Sequence, residues 1–132
     1  MNWVWTGILA AMGAWQVNKI VIRYWGDWGT VWITPVIEEM LKTGGAFFFG
    51  ANLILTHGMF GTIEAFYDLK TARRKGPAAA LASFLGHLAF GIAANAGLIF
   101  HKSLWAALIY GVMGHLAWNV LVSLLVNKEG NA

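Results

Sequence analysis

Cysteine is absent from the chain, so it has neither a disulfide framework nor a thiolate metal site, and nothing about redox compartment follows. Charge is scarce as well. Only 11% of the residues are Asp, Glu, Lys or Arg, against roughly a quarter in soluble domains. Strict alternation of apolar and polar residues is missing, which removes a transmembrane barrel. No stripe of Lys or Arg interleaved with aromatics occurs, and the basic excess sits between apolar runs, so nucleic acid is excluded as a partner. The stretch from Met1 to Ile22 lacks a basic leader and a small-residue cleavage site, and is expected to be a retained helix rather than a signal peptide. No internal repeat or low-complexity segment is present.

Apolar residues fill the space that charge leaves. They make up 58% of the 132 residues, and the mean hydropathy is +0.60. Runs long enough to span a bilayer recur, and a bilayer admits only helices or closed barrels. The expected fold is all-α: one domain, a polytopic transmembrane bundle of about five helices, over 2–24, 30–43, 46–69, 77–100 and 104–127. Trp3 and Trp5 at one end of the first helix, and Trp25 and Trp28 at the other, match an aromatic belt. Gly26-Asp27-Trp28-Gly29 reads as a turn, Gly44-Gly45 as a helix stop, and Pro77 as a first-turn residue. The tail from Lys128 to Ala132 is polar and expected to fray.

Five crossings place the termini on opposite sides. Lys19, Arg23, Lys70, Arg73, Arg74, Lys75 and Lys128 then share one side, and Lys102 stands on the other. Positive-inside topology predicts an integral membrane protein with its N-terminus outside and its C-terminus cytoplasmic.

Against this background Thr34-Pro35-Val36-Ile37-Glu38-Glu39-Met40-Leu41-Lys42 stands out. An ionised carboxylate in hydrocarbon costs several kcal/mol or more. Two side by side repel, so one holds a proton or both share a cation. Lys42, four residues after Glu38, is placed to offset one charge. Counted along each helix from its cytoplasmic end, Glu38, Glu39, His57, His87, His115 and Asn119 fall at depths of about 12–18 Å, with Glu64 shallower at ~7 Å. Polar residues of four helices thus share one slab. His115 and Asn119 share a helix face, as do His57 and Glu64. Asn52 and Asn95 read as packing residues, as does Trp118; His101 is a turn residue, and Glu64 suits either the basic loop or the site.

Carboxylates, histidines and an Asn at one depth suit water activation. A carboxylate beside a His acts as general base, and a His with Asn donates to the oxyanion of a tetrahedral intermediate. Alternatively, Glu38, Glu64, His87 and His115 are candidate ligands for a divalent metal such as zinc, which lowers the pKa of its bound water. Those ligands come from separate helices and lack the His-Glu-x-x-His spacing.

In this order the residues carry a resemblance. Glu38-Glu39-x-x-Lys42, then Gly58-x-Phe60-x-x-x-Glu64, then His87, then His115-x-x-x-Asn119 resemble the PrsW family of membrane proteases. The wider superfamily holds type II CAAX prenyl endopeptidases and bacteriocin-processing proteases. The resemblance spans about residues 34 to 123. It implies that Glu38 or Glu39 with His87 activates water, and that His115 and Asn119 stabilise the oxyanion or complete a metal site. It also implies a membrane-embedded or lipidated peptide as substrate. The CAAX-type motif has Arg where this chain has Thr43, and Phe84 precedes His87 by three residues rather than four. Such proteases usually have more than five helices. The superfamily includes non-catalytic members such as the Aph subunit of gamma-secretase, so the alternative is a scaffold subunit of a larger membrane complex. In a third reading, His57, His87 or His115 ligates a tetrapyrrole.

Overall fold

The computed structural model describes residues 2–72 and 75–130, with side chains to residue 124. Among the described residues every secondary-structure element is a helix. The elements are α1 (Asn2–Trp32), α2 (Thr34–Glu39), a π turn (Met40–Gly44), α3 (Gly45–Phe48), α4 (Leu53–Thr71), α5 (Gly76–His101) and α6 (Leu104–Gly130). They form five rods, because α1 bends back at Gly26 and the residues from 27 to 48 make one continuous return leg. Arg73 and Arg74 of the expected basic loop, and the last two residues of the expected frayed tail, lie outside the described residues.

The reversal needs a single residue. Gly26 has φ 53 and ψ −142, a region essentially closed to side chains, and helix resumes directly after it. The expected four-residue turn is therefore one glycine, and Asp27 to Trp32 are already helical. Pro35 has no N–H to return to Val31, which places a bend at Ile33 before the helix continues.

The expected stop at Gly44-Gly45 does not occur. Both glycines have helical dihedrals, and the rod runs on to Phe48. The return leg is therefore ~33 Å long rather than ~21 Å. It ends where Gly50 adopts φ 59 and Ala51 N–H reaches back to the Ala46 carbonyl at 2.8 Å. Residues 46–48, expected in the third helix, belong to this leg. Asn52 is the cap of α4, its side chain accepting from Leu55 N–H at 3.0 Å, rather than interhelical packing. The other ends match expectation closely, with Pro77 in the first turn of α5.

Polarity is turned inside out. Trp5, Leu9, Met12, Phe48, Ile99 and Trp105 are more than half exposed, while Glu39, Lys42, Thr43 and His57 are 0% exposed. The apolar core is small, built on Ala10, Ala11, Ala14 and Phe60. Two helices, Gly76–His101 and Leu104–Leu124, are long and apolar enough to cross a membrane. Small residues bring the rods together: a side chain on Gly97 would meet the Ala106 carbonyl oxygen at 2.7 Å, and one on Gly7 would meet Met59 at the same distance.

Candidate functional site

The return leg carries the site. At its middle α2 passes into the π turn, whose extra residue per turn alters the spacing of Glu38, Glu39, Lys42 and Thr43 around the rod. Three glycines on the other rods stand against the ionisable side chains. A Cβ on Gly111 would lie 2.5 Å from Glu39 Oε2, on Gly91 2.7 Å from His57 Cβ, and on Gly61 2.8 Å from His87 Cβ. The cluster is close-packed because these positions have no side chain.

Lys42 is its electrostatic centre. Its Nζ lies 2.7 Å from Glu39 Oε1 and 3.9 Å from Glu38 Oε2, and 2.9 Å from His87 Nδ1. The sequence places Lys42 with Glu38; the structure pairs it more closely with Glu39. It also lies over the Phe60 ring, 4.4 Å from the centroid. An ammonium has only donors, so His87 Nδ1 accepts from Lys42. His87 Nε2 then carries the hydrogen and donates to Glu64. Glu64 thus faces the site.

Glu39 is fully enclosed. Besides Lys42 it meets His115 Nδ1 at 3.2 Å and accepts from Thr43 Oγ1 at 3.4 Å. With the Thr43 hydrogen given to Glu39, His57 Nε2 donates to Thr43 Oγ1 at 3.0 Å. His57 Nδ1 is left buried without a partner. Thr43, the departure from the CAAX-type motif, is thus the link between Glu39 and His57.

Glu38 faces the other way. It lines a cavity of about 620 Å³ together with Glu64, His87, His115, Trp118 and Asn119. Its Oε1 accepts from Asn18 Nδ2 at 2.8 Å, and its Oε2 lies 3.8 Å from His115 Nε2. Because His115 Nδ1–H is engaged by Glu39, Nε2 presents its lone pair beside Glu38. Asp27, Thr30, Asp68 and Ala79 line the same cavity. They stand at the ends of their helices nearest the basic turns, so the cavity opens there and has Glu38 and His115 deep inside.

Of the residues singled out by sequence, Glu38, Glu39, Glu64, His87 and His115 come together. Asn119 lines the cavity but reaches away from Glu38, donating to the Thr30 carbonyl at 3.3 Å. Asn18 was not singled out. It stands between Gln16 and Lys19 in the most polar part of the first helix, so nothing in the sequence sets it apart.

A metal has three candidate ligands here: one atom each of Glu38, His87 and His115, all within 4.8 Å of one another. Tetrahedral zinc ligands at ~2.0–2.1 Å from the ion stand about 3.4 Å apart, so the trio would have to draw in. His87 already holds Lys42 on one nitrogen and Glu64 on the other. Of this trio, which does not include Glu64, the arrangement leaves two uncommitted donors, Glu38 Oε2 and His115 Nε2, one short of a catalytic zinc site. A tetrapyrrole fares worse: His87 has both nitrogens engaged, His115 Nε2 has a carboxylate beside it, and the uncommitted nitrogen of the wholly buried His57, Nδ1, does not line the cavity.

No family model, curated protein or solved structure matches the chain.

Proposed function

We propose that the chain is a membrane-embedded endopeptidase of the PrsW and CAAX-endopeptidase type, crossing the bilayer five times with its C-terminus cytoplasmic. The observation that carries this reading is the placement of Glu38 and His115. A carboxylate and an imidazole lone pair stand 3.8 Å apart on the wall of a cavity large enough for a peptide group. The apolar exterior and ionic interior support a lipid surround, since water would favour the reverse.

The chemistry needs no further group. A water held by Glu38 Oε2 and His115 Nε2 gives its proton to Glu38 as its oxygen attacks the carbonyl carbon. The tetrahedral intermediate collapses with cleavage of the C–N bond, and Glu38 returns the proton to the leaving amine. Asn119, one helical turn from His115, supplies a donor for the oxyanion once it leaves Thr30. Lys42, Glu39 and Glu64 act behind these groups. Glu39 fixes the His115 tautomer, and Lys42 with Glu64 fixes that of His87.

A second reading, a non-catalytic scaffold subunit, draws on Glu39, Lys42, Thr43 and His57, which do not line the cavity and whose contacts Lys42–His87, Glu39–His115 and Thr43–His57 tie the return leg to α5, α6 and α4. One experiment separates the two. The protein is purified with its native membrane partners, and co-purifying membrane peptides are analysed in H₂¹⁸O. The endopeptidase reading expects new C-termini that carry ¹⁸O with the wild type and none with Glu38→Gln/Glu39→Gln. Absence of products from either protein, with the chain held stoichiometrically in a larger assembly, supports the scaffold.

A further inference from the structure

The cavity is acidic in a basic protein. The chain has a net charge of +3 and only six acidic residues, yet four of these, Asp27, Glu38, Glu64 and Asp68, line this one space. Among the described residues, no Lys or Arg lines it. Glu38 and Glu64 have cationic or imidazole partners deep inside. Asp27 and Asp68 lie nearer the mouth. Ser83 Oγ donates to Asp68 Oδ2 at 2.5 Å and engages one of its two oxygens. A cleft with walls of low polarity focuses such a field on whatever enters.

Two further observations point to a ligand. His115 is 5% exposed, and its Nε2 is directed at the cavity with Glu38 as its near neighbour, beyond hydrogen-bond reach at 3.8 Å. A smaller cleft of about 300 Å³ adjoins the cavity and shares Asp27, Val31 and Ser123 with it. Its remaining walls are Trp28, Trp32, Val120 and Leu124, so it runs between the return leg and α6 toward the apolar exterior.

We infer that the site takes a peptide segment with a Lys or Arg at the basic-side end of an apolar stretch. Asp27 and Asp68 hold the cation at the mouth, and the Trp28–Trp32–Leu124 cleft admits the apolar part sideways. This rests on the endopeptidase reading, and it defines the class of segment cleaved. Positive-inside topology makes such segments common on the side where the cavity opens. Asp27 and Glu38 are separated by ~16 Å along the return leg. A Lys side chain covers about 6 Å of that, and an extended chain rises ~3.3 Å per residue. The cleaved bond therefore lies about three residues from the cation.

The test uses Glu38→Gln protein in zwitterionic lipid nanodiscs. The probes are photoreactive peptides of about 20 apolar residues ending in Lys-Lys, Ser-Ser or Glu-Glu. Crosslinking is measured against peptide concentration, and cleavage of the same peptides by wild type is scored separately. The Lys-Lys peptide is expected to bind about tenfold more tightly than Glu-Glu, with a gap that narrows as salt rises. Asp27→Asn/Asp68→Asn removes most of that gap and leaves Ser-Ser binding unchanged, while Asp27→Lys/Asp68→Lys favours Glu-Glu. Equal binding of all three peptides, or a gap that survives the Asn variant, overturns the inference. Cleavage without regard to charge sinks it alone and leaves the endopeptidase standing. Charge discrimination without cleavage retains the binding site and removes the hydrolase.

Discussion

At the scale of single residues, the close-packed ionic cluster makes sharp demands. Gly111→Ala puts a methyl 2.5 Å from Glu39 Oε2, where the carboxylate cannot yield without loosening Lys42. A loss of about 1–3 kcal/mol is expected, read as a lowered thermal midpoint in detergent. Gly114→Ala on the same helix meets only the Phe90 ring at 3.5 Å and should be near neutral. Lys42→Met leaves Glu39 buried without its cation and costs about 3–5 kcal/mol. The double variant Lys42→Met/Glu39→Gln should regain much of this, because no unpaired charge remains. If the double variant melts below both singles, the pair is not the source of the cost. That Glu38, Glu39, His87 and His115 come together was legible in the sequence, because carboxylates and imidazoles expected at one depth in a bilayer are costly unless they meet. The division between Glu38 and Glu39 was not. They are neighbours, and only the π turn and Gly111 determine which one faces the cavity and which one Lys42. Asn18 was illegible for a different reason, since beside Gln16 and Lys19 it reads as part of a polar helix end.

At the scale of elements, the return leg is set by glycines of opposite roles. Gly26 takes dihedrals that a side chain opposes, so Gly26→Ala should destabilise by about 1–3 kcal/mol. Gly44 has helical dihedrals, and a Cβ there meets nothing within 4 Å. Gly44→Ala should therefore be neutral or stabilise by up to ~1 kcal/mol. Melting curves of the two variants check the contrast, and a large loss for Gly44→Ala would mean that Gly44 does terminate a helix. This is also where sequence reading was least secure. A Gly-Gly pair signals a stop only when the chain beyond it has somewhere else to go, and here Ala46 is wholly buried, which keeps the rod intact. Helix ends marked by a proline or a polar turn, at Pro77 and at Lys102-Ser103, were legible because those residues act locally.

At the scale of the whole molecule, the exterior of Trp, Leu, Ile and Phe around an ionic interior sets the expected topology. The chain has no cysteine, so single cysteines can be introduced without first removing others. Cysteines replacing Ala51 or Ser103 should react with an impermeant reagent from outside intact cells, and one replacing Ala72 only after lysis. The same side for Ala51 and Ala72 would contradict five crossings. The proposed function rests on the difference between the two glutamates, so the decisive measurement compares Glu38→Gln with Glu39→Gln. Cleavage of a membrane peptide and the thermal midpoint are read on the same preparations. Glu38→Gln is expected to keep a midpoint near wild type and to lose cleavage by ~10²-fold or more, as removal of a general base does. Glu39→Gln should lower the midpoint, because Lys42 loses its nearest carboxylate. Full cleavage by a well-folded Glu38→Gln protein would contradict the assignment of Glu38 as the base that activates water.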